Sequence, residues 1–158
     1  MILLYILLGG KMCTAISKDG FWGRTLDLDG SRGEEVVIMP RRFPIRFRRE
    51  ADMAQHPAII GCALVNEGVP LWFDAVNEYG LAAAGLNFPD NAVYFAESKD
   101  KENITPFEFI PYILGLCADV DGAVERIKNM NIKTKCVQGE YQQHFGFWYS
   151  CVQRKHKI

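Results

Sequence analysis

An α+β layered fold is predicted by three features of this 158-residue sequence. Short β-type runs separated by turn signals fill its first two-thirds, helical patterns gather after them, and no strand–helix–strand alternation links the two. Length and composition permit such a fold: one domain's worth of chain, 49% hydrophobic and 23% charged, carries enough apolar surface for a core.

The chain opens with an apolar octet, Met1–Leu8. It lacks the positive flank and cleavage site of a secretory signal, and it is too short to span a bilayer. Leu8-Gly9-Gly10-Lys11-Met12 can be encoded by a purine-rich bacterial ribosome-binding site followed by ATG. Met12 is therefore expected to initiate the chain, with residues 1–11 a non-native leader; an added apolar strand or tail is the plainer alternative. Cys13 to Ser17 and Phe21 to Leu28 then read as two strands of a hairpin turning at Lys18-Asp19-Gly20.

Glu35-Val36-Val37-Ile38-Met39 is a β-branched run closed by Pro40. Arg42 to Arg48 alternates, Phe43, Ile45 and Phe47 against Arg42, Arg46 and Arg48, which predicts a half-exposed strand with a basic outer face. Ala58–Val65, Pro70–Val76 and Gly80–Leu86 follow, with turns at Asn66–Gly68 and Asn77–Gly80. Ile59-Ile60 and Ala82-Ala83-Ala84 offer little polar relief, so helices are expected to cover these strands on both faces.

Thr105-Pro106-Phe107-Glu108 combines an N-cap, a proline at the first helical position and a capping-box glutamate. The helix it starts should reach Cys117, disturbed at Pro111. Asp119 caps a second helix whose apolar face is Val120, Ala123, Val124, Ile127 and Met130. Residues 133–158 have no clean period and end in a basic cluster.

Eighteen basic against nineteen acidic residues leave a net charge of −1. Phosphate affinity rests on surplus cations, so a nucleic-acid partner is disfavoured, and the arginines between Arg41 and Arg49 read as a solvated strand face. Five cysteines, an odd number without metal-ligand spacing, indicate free thiols in a reducing compartment and no zinc site. Cys62 and Cys117 read as buried packing thiols. Cys13 differs, because removal of Met12 leaves it with a free α-amine of pKa ~7.7–8.0. One residue then holds both a nucleophile and a base.

Three segments carry a resemblance: Met12–Ile16 with Gly23-Arg24-Thr25-Leu26-Asp27; Gly33–Val37 with Pro40-Arg41; and Asn77–Pro89. Together with the Thr105–Cys117 helix, they make residues 12–132 resemble the N-terminal part of the choloylglycine hydrolase family. That family comprises the bile salt hydrolases and penicillin V acylases of the N-terminal-nucleophile superfamily. The resemblance implies a four-layer αββα fold, here incomplete, with the nucleophile at the start of a central strand. Cys13 matches the nucleophile that attacks an amide carbonyl and forms a thioester. Arg24 matches the arginine beside the thiol, Asp27 the aspartate that orients it, and Asn87 an asparagine at the oxyanion site. Leu26 and Phe88 would face the substrate.

Asn87 in Gly-Leu-Asn-Phe-Pro resembles the bile salt branch, which implies a glycine- or taurine-conjugated bile acid as substrate, penicillin V being the alternative. The chemistry needs no metal or cofactor. The resemblance further implies a cytoplasmic bacterial enzyme and, at full length, a homotetramer. Each match also has a plainer reading: Cys13 a packing thiol, Arg24 and Asp27 a surface pair, Asn87 a turn residue. Family members are about twice this length, so residues 133–158 are expected to be a divergent or frameshifted tail. An inactive fragment that only binds a hydrophobic ligand stays open.

Overall fold

The computed structural model describes residues 13–28, 30–87, 94–132 and 147–153, and so excludes Phe88 and the leader. Strands β1 (Ala15–Lys18) and β2 (Phe21–Arg24) form a hairpin pairing Lys18 with Phe21. Asp19 and Gly20 between them have φ of 51° and 81°, the left-handed pair that a two-residue hairpin turn demands. β2 ends at Arg24, shorter than predicted, because the chain there turns to side-chain bonding around Thr25.

A five-stranded antiparallel sheet is ordered β3 (Glu35–Met39), β4 (Ile59–Asn66), β5 (Val69–Asn77), β6 (Ala82–Asn87), β9 (Phe147–Gln153). Its edge strand β9 comes from the stretch that reads as without period in the sequence. The β4–β5 turn repeats the left-handed pair at Glu67 and Gly68. β7 (Glu102–Ile104) and β8 (Met130–Ile132) form a parallel pair absent from the sequence reading, which had placed Met130 on a helix. Three residues per strand is too short for periodicity to register.

The predicted Arg42–Arg48 strand forms only one bridge, Ile45 with Met53. Pro44 has no N–H for a ladder, and Arg42 takes a φ of 65°. The alternation sorts most of the side chains: Ile45 and Phe47 are buried while Arg42, Arg46 and Arg48 are exposed, but Phe43, expected on the apolar face, is exposed as well.

Pro106–Glu108 forms a 3-10 turn that leads into α1 (Phe109–Leu116). The Glu108 carboxylate accepts from both the N–H and the hydroxyl of Thr105, at 3.0 and 2.7 Å. Pro111 leaves α1 unbroken, because it sits in the first turn, where an N–H has no helical acceptor. In α2 (Val120–Lys128), Asp119 caps the Gly122 N–H at 2.9 Å. Of the predicted α2 face, Ala123 is buried and Val120 half-buried while Val124 and Ile127 are exposed; Met130 is buried too, but in β8.

Register assigns the two faces of the sheet. Val37, Gly61, Ala75 and Ala83 lie in one row, and this face packs on Ile110, Ile113 and Leu114 of α1. Burial of each such side chain contributes roughly 1.5–3 kcal/mol. Asn77 locks the layers together: its amide donates to the carbonyls of Leu114 and Cys117, and its oxygen accepts from the N–H groups of Tyr79 and Leu81.

Val36, Cys62, Asp74 and Ala84 form the row on the opposite face. No helix among the described residues covers it, contrary to expectation. The β1–β2 hairpin covers its β6 end, where Cys13, Ala84 and Leu86 cluster with Ala15 and Trp22. At the other end Val36 and Ile38 stand 75% and 68% exposed. The stacking among the described residues is thus helix, sheet, hairpin.

Candidate active site

Cys13 precedes β1 and is buried against Ala84 and Leu86 of β6. Arg24 lies opposite Ala15 in the hairpin register, which brings it to the same spot. Its side chain, 5% exposed, is held between two anchors. One terminal nitrogen donates to the carbonyl of Gly85 at 2.6 Å, and the other meets the Asp74 carboxylate at 3.5 Å. Gly85 lies between the two residues on which Cys13 packs, so thiol and cation converge on one three-residue stretch of β6.

Asp74 escaped the sequence reading, since a lone aspartate within a strand carries no pattern. Burial pushes its carboxyl above the ordinary range, opposed by the Arg24 charge and by the Cys62 N–H. Its position depends on a close approach of β4 to β5. A Cβ on Gly61 would lie 2.0 Å from the Asp74 carbonyl oxygen, so only glycine fits there. A register shift between Cys62 and Ala63 accompanies that approach.

Asp27 is exposed and connects through Thr25 to Thr14, the neighbour of Cys13. The Thr25 hydroxyl donates to Asp27 Oδ2 at 3.0 Å and accepts from the Thr14 N–H at 3.0 Å. The Thr25 N–H donates to the Thr14 carbonyl at 2.8 Å. Thr25 was missed because a threonine between two matched residues carries no signal by itself. Leu26 is half-buried beside this link. Asn87 closes β6 one residue past Leu86; its side chain lies outside the described residues.

Burial pushes the thiols of both Cys62 and Cys117 up, Cys62 further through the nearby Asp74 charge. Cys117 is a buried core group, as expected, whereas Cys62 is only half-buried, on the face that the helices leave uncovered. Two buried donors at the site, Arg24 Nε and the Trp22 indole N–H, lack an acceptor among the described residues.

Residues 13–146 match the family model for linear amide C–N hydrolases, choloylglycine hydrolase family. A bile salt hydrolase/transferase of Lactiplantibacillus plantarum is 44% identical over 124 residues, which cover 77% of this chain and 38% of that protein. A bile salt hydrolase/transferase of Bifidobacterium longum subsp. longum is 32% identical, over 87% of this chain and 45% of that one. Among solved structures, a mutant conjugated bile acid hydrolase from Clostridium perfringens superposes with a TM-score of 0.75 at 26% identity, over 87% of this chain and 43% of that one. Penicillin V acylase from Agrobacterium tumefaciens shares the fold, with a TM-score of 0.60 at 17% identity over 78% of this chain and 40% of that one. The chain therefore spans less than half the length of the relatives it matches. With its matched segment beginning at Cys13 and taking in the strands that hold Arg24, Asp74 and Gly85, the chain belongs to the choloylglycine hydrolase family of linear amide C–N hydrolases.

Proposed function

We propose that Cys13 is the nucleophile of an amide hydrolase acting on glycine- or taurine-conjugated bile acids. The convergence of Cys13 and the Arg24 guanidinium on Ala84–Leu86 carries this reading. In a chain whose first residue is Cys13, the free α-amine takes the thiol proton and the thiolate attacks the amide carbonyl carbon. The C–N bond then breaks, the departing amine takes that proton, and the bile acid remains as a thioester. Water, deprotonated by the same amine, attacks the thioester; bile acid leaves and the thiol is restored.

Arg24 supplies fixed positive charge that favours the thiolate. Asp27 acts as a positioning residue, holding the Cys13–Thr14 backbone through Thr25. Asn87 donates to the developing oxyanion, a contribution worth about 3–4 kcal/mol where geometry is good. Leu26 and Phe88 contact the steroid. Penicillin V is the alternative substrate, because the same machinery serves any amide that fits the pocket. The full-length enzyme is proposed to be a homotetramer of the bacterial cytoplasm; no helix among the described residues is long and apolar enough to cross a membrane.

Release of glycine or taurine by protein beginning at Cys13, set against its Cys13→Ala variant, tests the proposal. Amino acid released by the first and not by the second supports it; equal background from both refutes it for this chain. The exposed apolar row of Val36, Ile38 and Ile60 favours a second reading, an inactive fragment that holds a hydrophobic partner. Equal background together with binding of bile acid by both proteins would select that reading.

A further inference from the structure

The segment Phe43–Arg48, which the candidate active site does not use, borders a cavity of about 480 Å³. The cavity opens between this segment, the start of β5 and the 3-10 turn before α1. Pockets of ~300–1,000 Å³ accept small organic ligands. It belongs to the helix side of the sheet: Met39, Ile45 and Trp72 of its wall are core residues there, whereas Cys13 packs on the other face.

Among the described residues the lining is apolar, with donors and no free acceptor side chain. Phe43, Val69, Leu71, Trp72, Phe107 and Pro111 supply its hydrocarbon surface. Arg46 and Arg48 also line it, and neither has a carboxylate partner among the described residues, whereas Arg41, Arg49 and Arg126 each pair with a glutamate. Glu108, the one carboxylate among the described lining residues, accepts from the Thr105 N–H and hydroxyl and from the Arg48 backbone N–H. Trp72 is 4% exposed, and its indole N–H has no acceptor among the described residues.

We propose that this cavity binds an amphipathic organic carboxylate with an extended hydrocarbon body. The alkyl chain lies against the aromatic and aliphatic wall, and the carboxylate takes hydrogen bonds from Arg46 and Arg48 at the mouth. Unpaired guanidinium groups beside apolar surface are the arrangement that prefers such an anion to a neutral oil or a cation. This site stands independently of the proposed amide hydrolysis.

The test uses the full chain and dodecanoate below its micelle concentration, with binding followed by calorimetry and tryptophan fluorescence. Saturable binding is expected, weakened on the order of tenfold in the Arg46→Ala/Arg48→Ala double variant. Both side chains are exposed, and the Arg48–Glu108 bond is made by the backbone, so the variant should keep the wild-type circular dichroism. Arg46→Lys/Arg48→Lys retains charge but loses the planar fork, and its affinity should fall between those of the wild type and the double-alanine variant. Dodecanol should bind at least about tenfold more weakly than dodecanoate. Val69→Trp, which fills the mouth, should remove binding, and Cys13→Ala should leave it unchanged. Equal affinity for dodecanol, an unaffected double-alanine variant, loss of binding in Cys13→Ala, or binding only to lipid vesicles would each overturn the proposal.

Discussion

Asp74→Ala isolates the role of the counterion beneath the candidate nucleophile. Arg24 is 5% exposed and Asp74 17%, so the pair is largely desolvated. Removing one member of a buried pair costs about 3–5 kcal/mol, because the remaining charge is left without compensation. The contact here is 3.5 Å, and Arg24 retains its 2.6 Å bond to Gly85, which sets the expectation at the lower end, about 3 kcal/mol. Urea unfolding would read this as a fall in midpoint at unchanged slope.

The pH dependence supplies a separate sign. Burial holds the Asp74 carboxyl above its ordinary 3.8, so the folded state binds this proton more tightly than the unfolded one. Stability contributed by the group therefore declines as pH rises from 3.8 through the raised value. Asp74→Asn should abolish that decline. A loss below about 1 kcal/mol in Asp74→Ala, with the pH profile unchanged in Asp74→Asn, would refute the view that Arg24 is held by a buried carboxylate.

Gly61→Ala should destabilise by more than about 3 kcal/mol, since overpacking here strikes the Asp74 backbone at 2.0 Å rather than a movable side chain; thermal melting checks it. Asn77→Ala strands two carbonyls of the α1 end and two turn N–H groups, a cost of about 3 kcal/mol or more, and hydrogen exchange should show faster exchange at Tyr79 and Leu81. Glu78 is held at about 2 by the Arg41 guanidinium and the Ala58 N–H. Its contribution to stability is therefore complete above 4.5 and lost as pH falls through about 2; Glu78→Gln should flatten acid unfolding across that window.

Local chemistry was legible in the residues themselves. Asp-Gly at Asp19-Gly20 turns a hairpin because the left-handed φ pair is available there, and Thr105 with Glu108 opens a helix because the orphan donors need an acceptor. Such features are settled within a few residues. So was the identity of the family and the position of Cys13, since short motifs in order need no three-dimensional context to be recognised.

What the sequence could not decide is which distant groups meet. Arg24 and Asp74 are fifty positions apart, and only the β4–β5 register, fixed by the close approach at Gly61, turns the carboxylate towards the arginine. Apolar runs in Ile59-Ile60 and Ala82–Ala84 announced burial but not what supplies it; the tertiary structure gave one face to α1 and left Val36 and Ile38 in the open on the other. The period of a strand specifies its two sides. Only packing specifies what, if anything, lies against each.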